Sequence, residues 1–362
     1  MKRKCKNVDI VNLDFLKSCV AECFVHKSNK QMRRKDICKL LGSYQDIDDV
    51  AVNLQHELLA RKIVLDDIRY KDIIDPSNGK IRHLAVEGIR RQIYGYVAAT
   101  ALEQGLGSYI GHYQIANRKG CGSVMASHLV QNWLKDKRVR YIVKMDIRHC
   151  YESITHQSMM VWLRKHIKND LLIWLIGQLL GSTEEGLIIG SRLSVTLCAL
   201  YLADLYHRLE DHYFYWRRDK RHNVVIHQLF NVDDIFIFGT NAKELNRLAK
   251  DFIAFARSKG LTIKPDWRII SLRGDDACVD VLGYKVYRDR ITLRHRNYIK
   301  LKRTIKRFKR APNLKNARSL CSRYGQIKHS NSRRFCQKYN AYAAVRSARK
   351  VVSNHDKSKI CR

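Results

Sequence analysis

Proline is scarce in this 362-residue sequence, occurring only at Pro76, Pro265 and Pro312, which excludes proline-rich linkers and collagen-like repeats. No C-x-x-C pair is present. The eleven cysteines are scattered and only Cys19 and Cys23 lie close, at helical spacing. That pattern favours reduced thiols in a cytosolic chain over a disulfide scaffold or a zinc site. Long apolar runs are absent too: Leu171 to Leu180 is the most apolar stretch, well short of the ~20 residues that a membrane span needs. The basic start is interrupted by Asp9 and Asp14 before any signal-peptide core can form. The expectation is a soluble, cytoplasmic protein with no membrane partner. Acidic residues are the last scarcity, 34 against 69 Lys and Arg, leaving a net charge of +35. Such an excess opposes compaction and points to a polyanionic partner. The 45% apolar and 9% aromatic content is that of a globular chain, not a disordered one.

The basic excess is graded along the chain. From Lys285 onward the only acids are Asp289 and Asp356. Leu301, Ile305, Phe308 and Leu314 interleave with Lys300, Lys302, Arg303, Lys306, Arg307, Lys309 and Arg310, which predicts an amphipathic basic helix suited to phosphate contact. The first ~75 residues read as helical, ending in the turn Asp75-Pro76-Ser77-Asn78-Gly79, and a further helix is predicted from about Glu87 to Gln104. In the middle, Tyr141 to Asp146 reads as a strand. Leu193, Leu197, Leu200, Tyr201, Leu205 and Leu209 mark one helix face. Val224–Phe230 and Ile235–Phe238 flank Asn231-Val232-Asp233-Asp234, which predicts a hairpin with both aspartates at its tip. A helix over about Ala242–Ser258 and strands over Leu282–Tyr287 and Ile291–Leu293 complete an α+β chain.

Asp146 alone says little, because an acid at a strand end is more often structural or solvated. The adjacent pair Asp233 and Asp234 says more: flanked by apolar strands, the two carboxylates repel unless a cation sits between them and a third ligand. Hard oxygen ligands favour magnesium or manganese over zinc. Two such ions ~3.5–4 Å apart form the clamp for in-line phosphoryl transfer. Three aspartates on neighbouring strands of a strongly basic protein suggest a nucleotidyltransferase.

The surrounding residues, in order, resemble reverse transcriptases of the bacterial, retron-like branch. Asp146-Ile147-Arg148-His149-Cys150-Tyr151 resembles the first catalytic motif of that family, and Gly186-Leu187-Ile188-Ile189-Gly190-Ser191-Arg192-Leu193-Ser194 its second. Asn231-Val232-Asp233-Asp234 stands in the place of Y-x-D-D, Gly260-Leu261-Thr262-Ile263-Lys264 matches the fourth motif, and Val281-Leu282-Gly283-Tyr284 the fifth, the primer grip. Lys80-Ile81-Arg82 and Asn117-Arg118-Lys119-Gly120-Cys121-Gly122 resemble fingers motifs, and Tyr324–His329 a thumb element. Two residues depart from the pattern, Asn231 for the aromatic and Ile188 for the proline; neither position ligates metal. Val195 is also neither of the residues that relatives carry after the serine.

The resemblance implies a right-hand polymerase: an N-terminal helical extension (1–75), fingers (76–140), a palm with an antiparallel sheet and helices (141–287), and a basic helical thumb (288–362). It implies two Mg²⁺ ions, replaceable by Mn²⁺, on Asp146, Asp233 and the carbonyl of Ile147, with Asp234 nearby. Lys264 is then the candidate general acid for pyrophosphate departure, with a surface lysine as the competing reading. Nucleotide contacts fall to Lys80 and Arg82 on the triphosphate, Tyr151 against a 2′-hydroxyl, Gly190 and Ser194; the primer grip falls to Leu282, Gly283 and Tyr284. Too little chain follows Tyr284 for a thumb plus a ribonuclease H domain. The implied activity is RNA-directed DNA synthesis from dNTPs on a dedicated noncoding RNA, giving an RNA–DNA hybrid, in antiphage defence. The alternatives are the enzyme of a diversity-generating retroelement and a non-catalytic RNA-binding scaffold. An accessory protein or a second copy are further candidate partners. The run His212–Arg218 reads as aromatic packing beside the palm sheet in preference to base stacking.

Overall fold

Apolar residues three and four apart fold the N-terminal stretch into α1 (Leu13–Val25), α2 (Asn29–Met32), α3 (Lys35–Gly42) and α4 (Ile47–Leu59). Leu16, Cys19, Val20 and Cys23 form the buried face of α1, and the Asp46 carboxylate caps α4 by accepting from the amides of Asp48 and Asp49. The computed structural model describes residues 3–25, 27–43, 46–74, 79, 81–211 and 213–360. Helix does not extend to residue 75 as the sequence predicts. Strand β1 (Arg69–Ile74) pairs antiparallel with β2 (Ile81–Val86). Both are mostly exposed, so neither carries the burial alternation that identifies a strand in sequence. The turn expected at 75–78 lies outside the described residues.

Helix α5 (Ile89–Leu106) begins two residues later than the predicted helix and is buried on nearly every side. Even its Arg91 is buried, donating to the Leu179 carbonyl (2.7 Å) and the Ser182 hydroxyl (2.7 Å). The glycine loop at 120–122 leads into α6 (Ser123–Lys135). Then come β3 (Tyr141–Arg148), α7 (Cys150–Ser153), α8 (His156–His166), α9 (Asp170–Gly181) and α10 (Arg192–Asp211), whose buried face holds all six residues that the periodicity selected. A small hairpin of β4 (Phe214–Arg217) and β5 (Lys220–Asn223) precedes β6 (Val225–Asn231), β7 (Asp234–Gly239) and α11 (Ala242–Ser258). Asn241 caps α11, and its Leu245, Leu248, Ala249, Phe252 and Ala256 are buried at helical spacing.

The main sheet runs β6-β7-β3-β8, where β8 is Thr262–Ile263, and β9 (Arg268–Ser271) also pairs β3; every pairing is antiparallel. Strand β7 is central, which explains its unbroken apolar run. Ile235 and Ile237 enter a core shared with the N-terminal helices, α5 and α8–α11, while Phe236 and Phe238 enter a second core. That second core also holds Ile142, α6, the sheet β10 (Val279–Val281), β11 (Tyr284–Val286) and β12 (Ile291–Leu293), and the C-terminal helices.

Those helices are α12 (His295–Arg310), α13 (Leu314–Ile327), α14 (Arg333–Lys338) and α15 (Ala341–Ile360). Helix α12 is the basic amphipathic helix that the sequence predicts, with Leu301, Thr304, Ile305 and Phe308 inward. It stops before Leu314, because Pro312 cannot continue it and Asn313 caps α13 afresh. Among the described residues no helix is long and apolar enough to cross a membrane.

Candidate active site

Cross-strand register brings the first two carboxylates together. Asp146 on β3 lies directly opposite Asp234, the first residue of β7, so both side chains project from one face of the sheet. Asp233 occupies the two-residue turn with Val232, and its carbonyl accepts from the Ile147 amide at 2.9 Å. The expected hairpin therefore holds Asp233 at its tip, but Asp234 is already in the ladder. Val232 takes φ +53°, a left-handed value that is rare for a β-branched residue. The turn that presents Asp233 is thus held in a strained backbone conformation.

Lys264 completes the cluster. Its amide donates to the Asp146 carbonyl at 2.8 Å. Its Nζ lies 2.6 Å from Asp146 Oδ1, and both side chains are about one-third exposed. This contact with Asp146 is the main cause that holds the Lys264 ammonium above its ordinary pKa. The partly exposed Lys264 side chain is thus the ion-pair partner of Asp146.

Burial is the main electrostatic fact about the other two carboxylates. It pushes Asp233 above the ordinary carboxylate range, with Asp146 adding to the effect and its own amide, Lys264 and Arg82 opposing it. Burial pushes Asp234 up to about 6, helped by Asp233 and Asp146 and opposed by Lys144 and Arg294. Lys144 and Arg294 were not selected in the sequence. Lys144 had a signal, because two residues before Asp146 on one strand means the same face. Arg294 had none, as only the fold brings it there.

The remaining predicted residues divide. The Arg82 charge reaches Asp233, whereas Lys80 lies outside the described residues. Tyr151, on α7 just after the left-handed His149 (φ +47°), lines a small cavity with Asn117, Val195, Cys198 and Val232. Burial raises its hydroxyl pKa, with Cys198, Cys150 and Asp233 adding to the effect. Gly190 has φ +112°, and a Cβ there would sit 2.8 Å from the Ala85 carbonyl oxygen. Ser194 is buried and lies around a separate internal cavity with Glu87, Ile188 and Ser191, away from the aspartates. Leu282 and Gly283 form the β10–β11 turn with φ +45° and +96°, both positive, as a type I′ two-residue hairpin requires. The Gly283 carbonyl accepts from the Arg294 amide at 3.1 Å, linking this turn to the cation that acts on Asp234. The Tyr284 side chain faces elsewhere: it is buried and donates to the Gln326 carbonyl at 3.0 Å.

The donor set fits a hard divalent cation in kind. Asp146 raises both Asp233 and Asp234, and Asp233 raises Asp234 further, so the three hard oxygen donors lie within electrostatic reach of one another. In the observed rotamers, no three acidic, histidine or cysteine side chains converge closely enough to hold an ion among the described residues. Lys264 balances part of the charge on Asp146 instead.

Residues 71–286 match the model of the family described as reverse transcriptase (RNA-dependent DNA polymerase). No curated protein matches the chain in sequence. Among solved structures, the chain is similar to apo telomerase from Candida tropicalis truncated from its C-terminal domain, at 15% identity and a TM-score of 0.44, over 63% of this chain and 55% of that one. It is also similar to telomerase from Candida albicans in complex with a TWJ fragment of telomeric RNA, at 10% identity and a TM-score of 0.46, over 78% of this chain and 54% of that one. The chain thus spans about half the length of these two proteins.

Proposed function

The chain belongs to the reverse transcriptase (RNA-dependent DNA polymerase) family, and on that premise we propose that it extends a 3′ end with dNTPs on an RNA template. The observation that carries the proposal is the placement of Asp146 opposite Asp234, with Asp233 in the adjoining turn, inside the family-matched segment. In this reading 76–140 forms the fingers, 141–287 the palm, 288–362 the thumb, and 1–75 an extension. Asp146, Asp233 and the Ile147 carbonyl would hold two Mg²⁺ or Mn²⁺ ions, with Asp234 beside them. Such ions, when bound, activate the attacking hydroxyl and stabilise charge on the transferred phosphoryl group.

The chain's own residues do the rest. The Lys264 Nζ, which the structure places on Asp146, would pass a proton to the departing pyrophosphate. Arg82 and Lys80 bind the triphosphate by charge-assisted hydrogen bonds. The Tyr151 ring excludes a 2′-hydroxyl, Gly190 lets backbone approach the nucleotide, and Ser194 supports the second-motif helix from within. Leu282 and Gly283 offer the primer a backbone turn that Tyr284 anchors to α13. The retron-like motif order supports a dedicated noncoding RNA as template and a role in antiphage defence. Variable-repeat cassettes beside the gene would favour a diversity-generating retroelement instead.

Labelled-dNTP incorporation on a primed RNA template, with Mg²⁺ or Mn²⁺, tests the activity. Wild type should incorporate, and the Asp233→Ala plus Asp234→Ala variant should fall to background. Equal signal from the two proteins would leave a non-catalytic RNA-binding scaffold. Sequencing the RNA that co-purifies tests the template: one structured species is expected, and random cellular RNA would contradict it.

A further inference from the structure

The aromatic run that sequence reasoning assigned to packing is packed only in part. Tyr213 and Tyr215 lie against the larger core, but Phe214 is 40% and Trp216 66% exposed. Strand pairing sets Trp216 opposite Arg221 and Phe214 opposite Asn223, so one face of the β4–β5 hairpin carries both exposed rings. The Arg221 guanidinium lies 4.0 Å over the centre of the Phe214 ring. On the other face Tyr215 stacks on His222, with ring centres 5.2 Å apart and 18° between planes.

The hairpin is rooted firmly. The Tyr213 hydroxyl donates to Asp251 at 2.5 Å, Arg208 donates to the same oxygen at 3.2 Å, and the Val224 amide donates to the Tyr213 carbonyl at 3.0 Å. Charge decides what such a face fits. Within 214–223, Arg217, Arg218, Lys220 and Arg221 stand against Asp219 alone. Protein interfaces also draw aromatics and arginine, but their centres are depleted of charge overall, whereas this segment carries four cations to one acid. Sites for single-stranded nucleic acid combine cations with exposed rings.

The geometry points to a second nucleic-acid site on this hairpin, outside the three-aspartate cluster. It takes an unpaired polynucleotide strand whose bases stack on Trp216 and Phe214 while Arg221 and Lys220 meet its phosphates. The site requires no catalysis, so it stands or falls separately from polymerase activity.

The test uses the full chain with its cleft saturated by a blunt RNA–DNA hybrid. Short fluorescent oligo-U is then titrated and followed by anisotropy, with oligo-dT and a blunt RNA duplex as further probes. Wild type should bind the unpaired strand in addition to the hybrid. Phe214→Ala plus Trp216→Ala should weaken that binding at least about fivefold per ring, the low end for base–aromatic stacking. Trp216→Phe should keep most of it, and Arg221→Ala should lower the salt slope by about one. Preference for oligo-U assigns the site to RNA and preference for oligo-dT to the DNA product, and either supports it. The rings are exposed, so the double variant should melt as wild type does. No second strand bound, undiminished binding by the double variant, or equal loss on the duplex would overturn the proposal. A shift in sedimentation with unchanged affinity would also overturn it, by identifying a protein interface.

Discussion

Because burial pushes the Asp234 carboxyl from 3.8 to about 6, the folded chain holds a proton there that the unfolded chain releases between those values. Stability from this group is therefore present below pH ~4 and lost as pH rises through about 6. Asp234→Asn should raise the melting stability of the ion-free protein by roughly 2–3 kcal/mol at about pH 7.5 and add little near pH 4, measured by thermal unfolding in chelator. Lys264 makes the complementary case. Its ion pair with Asp146 competes with any cation at that oxygen, so Lys264→Met should move Mg²⁺ stabilisation to lower ion concentration while slowing incorporation. A thermal-shift titration with parallel turnover checks both. Elsewhere, burial would raise Asp204, but the hydrogen bonds it accepts from Lys259, Trp162 and Tyr109 hold it below its ordinary value. Asp204→Asn leaves Lys259 without its carboxylate and should cost about 2–4 kcal/mol in denaturant unfolding. The three aspartates and Lys264 were legible because their types and order are local sequence facts. Their pairing was not, since the Lys264–Asp146 contact and the approach of Arg294 depend on chain segments far apart.

At the scale of elements, burial decides what the sequence discloses. Strand β7 is apolar at every position because both faces are covered, and α11 shows one inward stripe. Both were readable from period alone. Strands β1, β4 and β5 are largely exposed and so carry no such period. The break between α12 and α13 was signalled by Pro312 and Asn313, although the apolar spacing on either side suggests a continuous helix. The second-motif loop tests the packing directly. Gly186 has φ +90° and Gly190 φ +112°, and an added Cβ at either position meets a backbone oxygen within 2.6 to 2.8 Å. Gly190→Ala should lower stability by about 1–3 kcal/mol and reduce incorporation more than the loss of fold explains, judged by activity per folded molecule. Loss of the Asn241 cap in Asn241→Ala should cost about 1 kcal/mol without affecting activity.

For the whole molecule, a net charge of +35 makes binding to nucleic acid an electrostatic matter first. Affinity for an RNA–DNA hybrid should fall about a thousandfold or more between roughly 50 and 200 mM salt, if six or more phosphates are neutralised. Anisotropy across a salt series measures that slope. Two cores meet across one sheet, and Asp146 and Asp234 lie opposite each other at one end of it, within electrostatic reach of Lys144 and Arg294. The proposed function requires that divalent ions can take the place Lys264 holds beside Asp146. Manganese uptake followed by electron paramagnetic resonance, with primed RNA template and a non-hydrolysable dNTP present, asks this most directly. Wild type should sequester Mn²⁺ and the Asp146→Ala plus Asp233→Ala variant should not. Equal uptake by the two proteins, or none by wild type, would contradict it.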